Sequence, residues 1–325
     1  MKGNVLLIAV GGIGFRHFQA LLNCKSDFDL HVVDVSNDAV QRARDYANDQ
    51  KAKRAIHYYA SVAEVPQGTG FQIAIIATSS LPRRAVFEGL TARCEVQSVI
   101  FEKVLFPRLE DYEAVGAILR AKHISAYVNC ARRVSDFYMA LREKTRRAKW
   151  IFAQARGSDW GLACNGIHMI DLVAYLSPTG IGDVACNGSL LENHIYDSKR
   201  KGYIEFYGRL TGKLGEKATY LMECSHGREP LVIELFTDTA YYCINESQGL
   251  MTVQDLDTGD LTVRHFQSLL VSQSTTRIVD RLLCGQAIEL TGYQDSARLH
   301  VPLLREFLKK KNEIQGSESE LCPIT

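Results

Sequence analysis

Three groups of residues in this chain have types and spacings suited to chemistry. The first is Ala9-Val10-Gly11-Gly12-Ile13-Gly14. It ends an apolar run, Val5 to Val10, that reads as a buried parallel strand. It opens a stretch in which Phe15, Phe18, Leu21 and Leu22 recur at helical spacing. A glycine turn between strand and helix lets the backbone approach a pyrophosphate, and the helix N-terminus offers unbonded N–H groups with partial positive charge. Alanine stands at the first of the three usual glycine positions. Gly11 allows the close approach, Gly12 and Ile13 continue the turn, and Gly14 lets helix pack on strand. The acid expected about 20 residues on is Asp34, which ends the second strand-like run. A carboxylate there accepts from both ribose hydroxyls and repels a 2′-phosphate. Val35, Ser36 and Asn37 follow it with no arginine among them, which favours NAD over NADP. Helix N-capping is the alternative use of Asp34, although Ser36 or Asn37 could fill that role equally.

The second group is Glu102-Lys103, directly after the buried strand Val96 to Phe101. Open α/β sheets place ligands at that end of their strands. A lysine there can hydrogen-bond a substrate hydroxyl and stabilise the alkoxide that develops as hydride leaves. Alone, such a dipeptide is most often an exposed ion pair; the glycine turn upstream favours the site. The third group is His168 with Asp171 three residues on. The ordinary imidazole pKa suits taking and returning a hydroxyl proton, and a carboxylate at that spacing can orient the ring. A buried histidine satisfied within the core is the alternative.

These groups sit on a regular succession of elements. Strand and helix alternate up to about residue 129, with strands at Val5–Val10, Leu30–Asp34, Phe71–Ala77, Val96–Phe101 and Ile124–Asn129. That pattern predicts a doubly wound parallel sheet with right-handed crossovers. After helices near 134–149 and 166–176, six strand-like runs between Ile204 and His265 predict an antiparallel meander. Helices near 275–284 and 297–311 close the chain. The reading is therefore α/β in two domains: a dinucleotide-binding domain of the Rossmann type over 1–130, and a second domain over 131–325 with a mostly antiparallel sheet.

Composition narrows the class. The 325 residues carry 38 Lys+Arg against 37 Asp+Glu, a net charge of +1, which argues against a nucleic-acid or anionic-membrane binder. The basic clusters Arg142–Lys149 and Lys309–Lys311 lack interleaved aromatics and read as solvated faces. No apolar run approaches the roughly 18 residues that span a bilayer. The first residues show no signal-peptide pattern. Nine cysteines without a CxxC pair, and dispersed histidines, predict reduced thiols in a cytoplasmic protein and no metal site.

Four stretches resemble the glucose-fructose oxidoreductase, inositol dehydrogenase and MocA (Gfo/Idh/MocA) family of nicotinamide-dependent dehydrogenases. They are Gly11 to His17, Ile75-Ile76-Ala77-Thr78, Phe101-Glu102-Lys103-Val104, and Asn165 to Leu172. The resemblance spans nearly the whole chain and implies that 131–325 is a substrate-binding and oligomerisation domain with an open, mostly antiparallel sheet. It implies that Thr78, Glu102 and Lys103 lie beside the cofactor and that His168 is the catalytic histidine. It also implies that Asn129-x-Ala131-Arg132 is the exit from the Rossmann domain, with Arg132 facing substrate or phosphate. Two positions depart from the family pattern: Val104 replaces a proline, and Cys164 replaces an aspartate four residues before the histidine, with Asn165 beside it able to supply a hydrogen bond. The stretch Gly292 to His300 is similar to members associated with surface-glycan sugars. The expected activity is NAD-dependent hydride transfer at a hydroxyl of a sugar, polyol or nucleotide-linked sugar. The rivals are a cofactor-binding regulator without catalysis and a redox-neutral enzyme with tightly held NAD. Apolar residues on both faces of the second domain's strands predict a homodimer or homotetramer built sheet to sheet.

Overall fold

The computed structural model describes residues 3–267 and 271–325. Its first sheet contains β1 (Gly3–Ile8), β2 (Phe28–Val33), β3 (Ile56–Tyr59), β4 (Gly70–Ile76), β5 (Glu95–Phe101) and β6 (Ser125–Val128). These six run parallel in the order β3-β2-β1-β4-β5-β6. The crossovers carry α1 (Gly12–Leu22), α2 (Asn37–Asp49), α3 (Ser80–Arg93) and α4 (Leu109–Ala121). The strand order reverses beside β1, which is the topological switch point where such sheets hold ligands. Val5, Leu6 and Leu7 are wholly buried, as expected of a central strand covered on both faces. The fold is thus α/β with an N-terminal Rossmann-type sheet. The sequence reading passed over β3, a four-residue edge strand whose His and Tyr residues give no apolar run.

The second sheet has eight strands. They are β7 (Ile151–Ser158), β8 (Val184–Leu191), β11 (Gly208–Leu214), β12 (Ala218–Ser225), β13 (Val232–Thr237), β14 (Ala240–Asn245), β15 (Leu250–Asp255) and β16 (Leu261–His265). A separate ribbon pairs β9 (Tyr196–Asp197) with β10 (Ile204–Glu205). The remaining helices are α5 (Asp136–Thr145), α6 (Leu162–Leu176), α7 (Val271–Leu283) and α8 (Tyr293–Gln315), and β17 (Thr291–Gly292) adds antiparallel to β6.

Two expectations for this half need correction. The sheet is mostly antiparallel but is no simple meander, because β7 inserts between β12 and β13 and runs parallel to β12. The run expected as one strand from Ile204 to Leu210 breaks at Gly208, whose φ of +103° admits only glycine comfortably. Inward residues alternate along β7 and β12, and Met169, Leu172 and Val173 of α6 face Ala153, Ala155, Tyr220, Met222, Ile233 and Leu235.

The chain forms two compact units that are not two consecutive segments. One comprises Met1–Phe106, Glu110–Val134 and Leu269–Gln294; the other comprises Pro107–Leu109, Ser135–Ser268 and Asp295–Thr325. The sequence division at 130/131 was a single cut. The first unit instead takes back α7, which packs along α1, and β17.

A buried imidazole in the first unit, His31, stacked on the exposed His57, makes stability depend on pH. His31 of β2 stacks on His57 at 4.7 Å and accepts or donates at Tyr59 Oη, 3.1 Å away. Burial first, and the neighbouring His57 second, push the His31 pKa down from 6.5 to about 4. The native state resists a proton that the unfolded chain takes up at its ordinary pKa. This contribution is therefore full above about pH 6.5 and is lost as pH falls towards 4. Urea unfolding at pH 7 and pH 4.5 should differ by about 2 kcal/mol from this group. His31→Gln should remove that portion of the pH dependence; an unchanged profile would refute the assignment.

Candidate functional site

The glycine turn is built as a cradle. A Cβ on Gly14 would stand 1.9 Å from the Ala9 carbonyl oxygen, so only glycine lets α1 close on β1. A Cβ on Gly11 or Gly12 would meet no atom within 4 Å. Gly11 is the N-cap of α1 and supplies no side-chain cap, which leaves the first-turn N–H groups for an anion. Ala9 adopts φ +70°, the left-handed conformation that a glycine would take without penalty. Alanine pays about 1 kcal/mol there.

Asp34 is fixed at the rim of the turn. Its Oδ2 accepts from Val10 N at 2.7 Å and its Oδ1 from Ser36 N at 2.8 Å. The cap of α2 is Ser36, whose hydroxyl accepts from Ala39 N. Asp34 is therefore not spent on capping. The sequence reading missed Arg42, which lies one helix turn beyond the segment searched for an arginine. Its guanidinium donates to the Val10 carbonyl at 2.8 Å and sits 4.8 Å over the Phe15 ring.

Glu102 is 4% exposed at the end of β5. Nε2 of His17 donates to its Oε1 at 2.8 Å, Asn129 Nδ2 donates to the same oxygen at 2.5 Å, and Thr275 Oγ1 meets His17 Nδ1 at 2.8 Å. Burial acts to raise the Glu102 pKa. The His17 hydrogen bond and charge, the Asn129 amide and the Lys103 ammonium outweigh it and hold the carboxyl below its usual range. An ionised carboxylate thus ties α1 and the residue after β6, and through His17 also α7, to the residue preceding Lys103. Behind Lys103, the Lys103–Val104 peptide is cis. Arg83, wholly buried on α3, donates to the carbonyls of Thr78, Val104 and Leu105. No sequence signal marked Arg83, because its carbonyl partners are assembled only by the tertiary fold.

The turn, Asp34, Thr78, Glu102 and Lys103 thus gather at the C-terminal ends of β1, β2, β4 and β5. Thr78 Oγ1 and Asn129 Oδ1 are buried there without a partner among the described residues. Buried polar atoms in a native protein are normally satisfied, so two orphans at the same end of the sheet as the glycine cradle, one after β4 and one after β6, fit a ligand. The residues present therefore suit a dinucleotide. Arg132 is half-buried in the short 3₁₀ turn Ala131–Val134 of the same unit.

Asn165, His168 and Asp171 lie on α6 in the other unit. This helix begins at Gly161, in the left-handed region at φ +77° and without a side-chain cap of its own. The cap comes from Glu205 on β10, whose carboxylate accepts from Ala163 N and Cys164 N. Asn165 Nδ2 donates to the Trp160 carbonyl at 2.6 Å and closes the entering turn. His168 is half-buried, whereas Asp171 is 1% exposed. Cys164 is half-buried in the first turn. Cys24, Cys94, Cys224 and Cys322 are buried free thiols. Among the described residues, no group of three His, Cys, Asp or Glu side chains could hold a metal ion. Nor is any described helix long and apolar enough to cross a membrane.

No family model matches this chain, and no curated protein matches its sequence. Solved structures do match. An oxidoreductase from Agrobacterium radiobacter, in complex with NAD+, L-tartaric acid and magnesium, is 18% identical. It matches with a TM-score of 0.70 over 96% of this chain and 97% of its own. The UDP-N-acetylglucosamine 3-dehydrogenase GnnA from Acidithiobacillus ferrooxidans is 15% identical, with a TM-score of 0.65 over 94% of this chain and 97% of its own. The transcriptional regulator Gal80p from Kluyveromyces lactis is 12% identical, with a TM-score of 0.68 over 96% and 90%. At such identities the likeness establishes the fold, which is shared by oxidoreductases and by a regulator.

Proposed function

We propose that this protein is a nicotinamide-dependent oxidoreductase acting on a hydroxyl-bearing carbon of a sugar, polyol or nucleotide-linked sugar, as the resemblance to the Gfo/Idh/MocA family implies. The observation that carries the reading is that the open glycine cradle, Asp34 and Lys103 share one end of the sheet with two orphaned buried oxygens. When bound, the nicotinamide supplies a hydride acceptor or donor. The chain supplies the rest. First-turn N–H groups of α1 hold the pyrophosphate, Asp34 accepts from ribose hydroxyls, and Thr78 and Glu102 border the nicotinamide end. Lys103 donates to the substrate oxygen and stabilises negative charge that develops on it. His168 takes the hydroxyl proton during oxidation and returns it during reduction, with Asp171 holding the ring orientation. Asn165 and Arg132 contact substrate. Screening a panel of sugars and polyols for NAD reduction, and of keto-sugars for NADH oxidation, tests the reading. A protein that binds cofactor yet turns over nothing in either direction would support the regulator alternative, which Gal80p's shared fold and the thiol at Cys164 favour.

NAD preference follows from Asp34, whose carboxylate repels a 2′-phosphate, while Arg42 is engaged with the Val10 carbonyl and the Phe15 ring. Fluorescence titration should show NADH binding at least tenfold more tightly than NADPH. Tighter NADPH binding would overturn the assignment and turn attention to Arg42.

Assembly through the second sheet is also proposed. On the face away from α6, Phe152, Leu221, Phe236 and Tyr241 are half-exposed, with the ion pairs Arg156–Glu234 and Arg209–Glu223 to one side of them along the strands. Covering that face with a second copy gives closed two-fold symmetry, as a homodimer or a dimer of dimers. Analytical ultracentrifugation at low micromolar concentration should show no monomer; a single 36.4 kDa species would end this proposal. Buried free thiols favour the cytoplasm as the location.

A further inference from the structure

Beside the N-terminal end of α6 lies a group of rings and carboxylates that the proposed chemistry leaves unused. Tyr207 and His226 stack at 4.0 Å with their planes 18° apart. Tyr196 stands edge-on to Tyr207 at 4.7 Å and 5.1 Å from His226, and His194 stands edge-on to Tyr196 at 4.4 Å. These rings come from three separated pieces of chain: His194 and Tyr196 at the start of the ribbon, Tyr207 after it, and His226 just past β12. His226 is exposed and both tyrosines are half-exposed, so the rings are not a core. Two carboxylates border them. Glu192 Oε2 accepts from Tyr196 Oη at 2.6 Å and lies 3.4 Å from His226 Nε2, and Asp159 Oδ1 accepts from Tyr207 Oη at 2.7 Å. The second oxygen of each carboxylate has no partner among the described residues.

This combination selects a ligand chemistry. Ring faces take the C–H face of a pyranose, and carboxylate oxygens and tyrosine hydroxyls take its hydroxyls. A phosphate would meet two carboxylates, neither of them ion-paired to lysine or arginine among the described residues. Location adds a second constraint. Asp159 stands two residues before the Gly161 cap, and Tyr207 two residues after Glu205, the side chain that caps α6. His168 lies six residues into the helix, about 9 Å along its axis. That separation suits a neighbouring ring of the same molecule.

We infer that Tyr196, Tyr207 and His226, bordered by Glu192 and Asp159, form a subsite for a second, neutral sugar ring joined glycosidically to the ring that is oxidised or reduced. The substrate is then a glycoside of at least two rings. The inference rests on the placement of His168 in the proposed reaction.

Calorimetric titration of the full-length protein with NADH present tests it. The probes are methyl glycosides of glucose, galactose and N-acetylglucosamine, the matching α- and β-linked disaccharides, and UDP-N-acetylglucosamine. At least one disaccharide should bind ten times more tightly than its methyl glycoside. His226→Ala, at an exposed position that does not threaten folding, should cut that ratio to below about two. Tyr207→Phe, which keeps the ring, should preserve most of it. The subsite is refuted if no disaccharide exceeds its methyl glycoside, if His226→Ala weakens both equally, or if only the nucleotide sugar gains. Disaccharide binding without hydride transfer would sink the oxidoreductase reading and leave the subsite standing. Turnover of monosaccharides without a disaccharide gain would do the reverse.

Discussion

Lys103→Met should lower kcat by about a thousandfold while changing the NADH dissociation constant by less than about threefold. The lysine is assigned to the oxygen on which charge develops, so its loss falls on the chemical step. The fold holds the residue in place from two directions. The Glu102 carboxylate beside it is fixed by His17 and Asn129, and Arg83 holds the carbonyls of Val104 and Leu105 that follow. Methionine has similar length and no charge, so these contacts survive the change. Pre-steady-state hydride transfer and cofactor titration of the same preparation separate the two effects. Equal losses in binding and rate would make Lys103 a nucleotide ligand instead.

The second large effect is expected at His168. His168→Ala should reduce kcat by about a hundredfold to ten-thousandfold, the usual contribution of a positioned acid–base group. It should also remove one ionisation from the pH profile of kcat for oxidation, because the variant has no imidazole to accept the hydroxyl proton. The cost to folding should be small, since the side chain is half-buried on a helix whose inner face is carried by Leu172 and Val173. Thermal melts distinguish the outcomes. A variant that keeps most of its kcat but melts well below the parent would show His168 to be a packed core residue.

The first half of the fold was legible because buried parallel strands are short apolar runs and each ends at a turn of characteristic composition. Val5 to Gly14 and Asp34 could be read as one unit for that reason. β7 and β8 were not, because Ala153 and Ala155 face α6 in one, and the other, Val184–Leu191, contains Asn187, Gly188 and Ser189. Small residues opposite a helix pack well yet give no alternating apolar signal. At the candidate site, the residues proposed for chemistry were visible in the sequence and those that hold the surrounding elements were not. Glu205 caps α6 from 41 and 42 positions away, and Arg83 reaches carbonyls 21 and 22 positions away. Such partners are properties of the assembled chain.

The return of α7 and β17 to the first unit bears on how the protein is made. On the ribosome, β1, the glycine turn and α1 emerge long before α7, so α1 has no α7 to pack against until residues 271–283 have been synthesised. His17 likewise waits for Thr275, which is 258 positions downstream. Non-local contacts of that span are slow to form and are among the last to reward the chain for its ordering. The nascent first unit therefore keeps the side of α1 that meets α7 uncovered while residues 135–268 of the second unit are made.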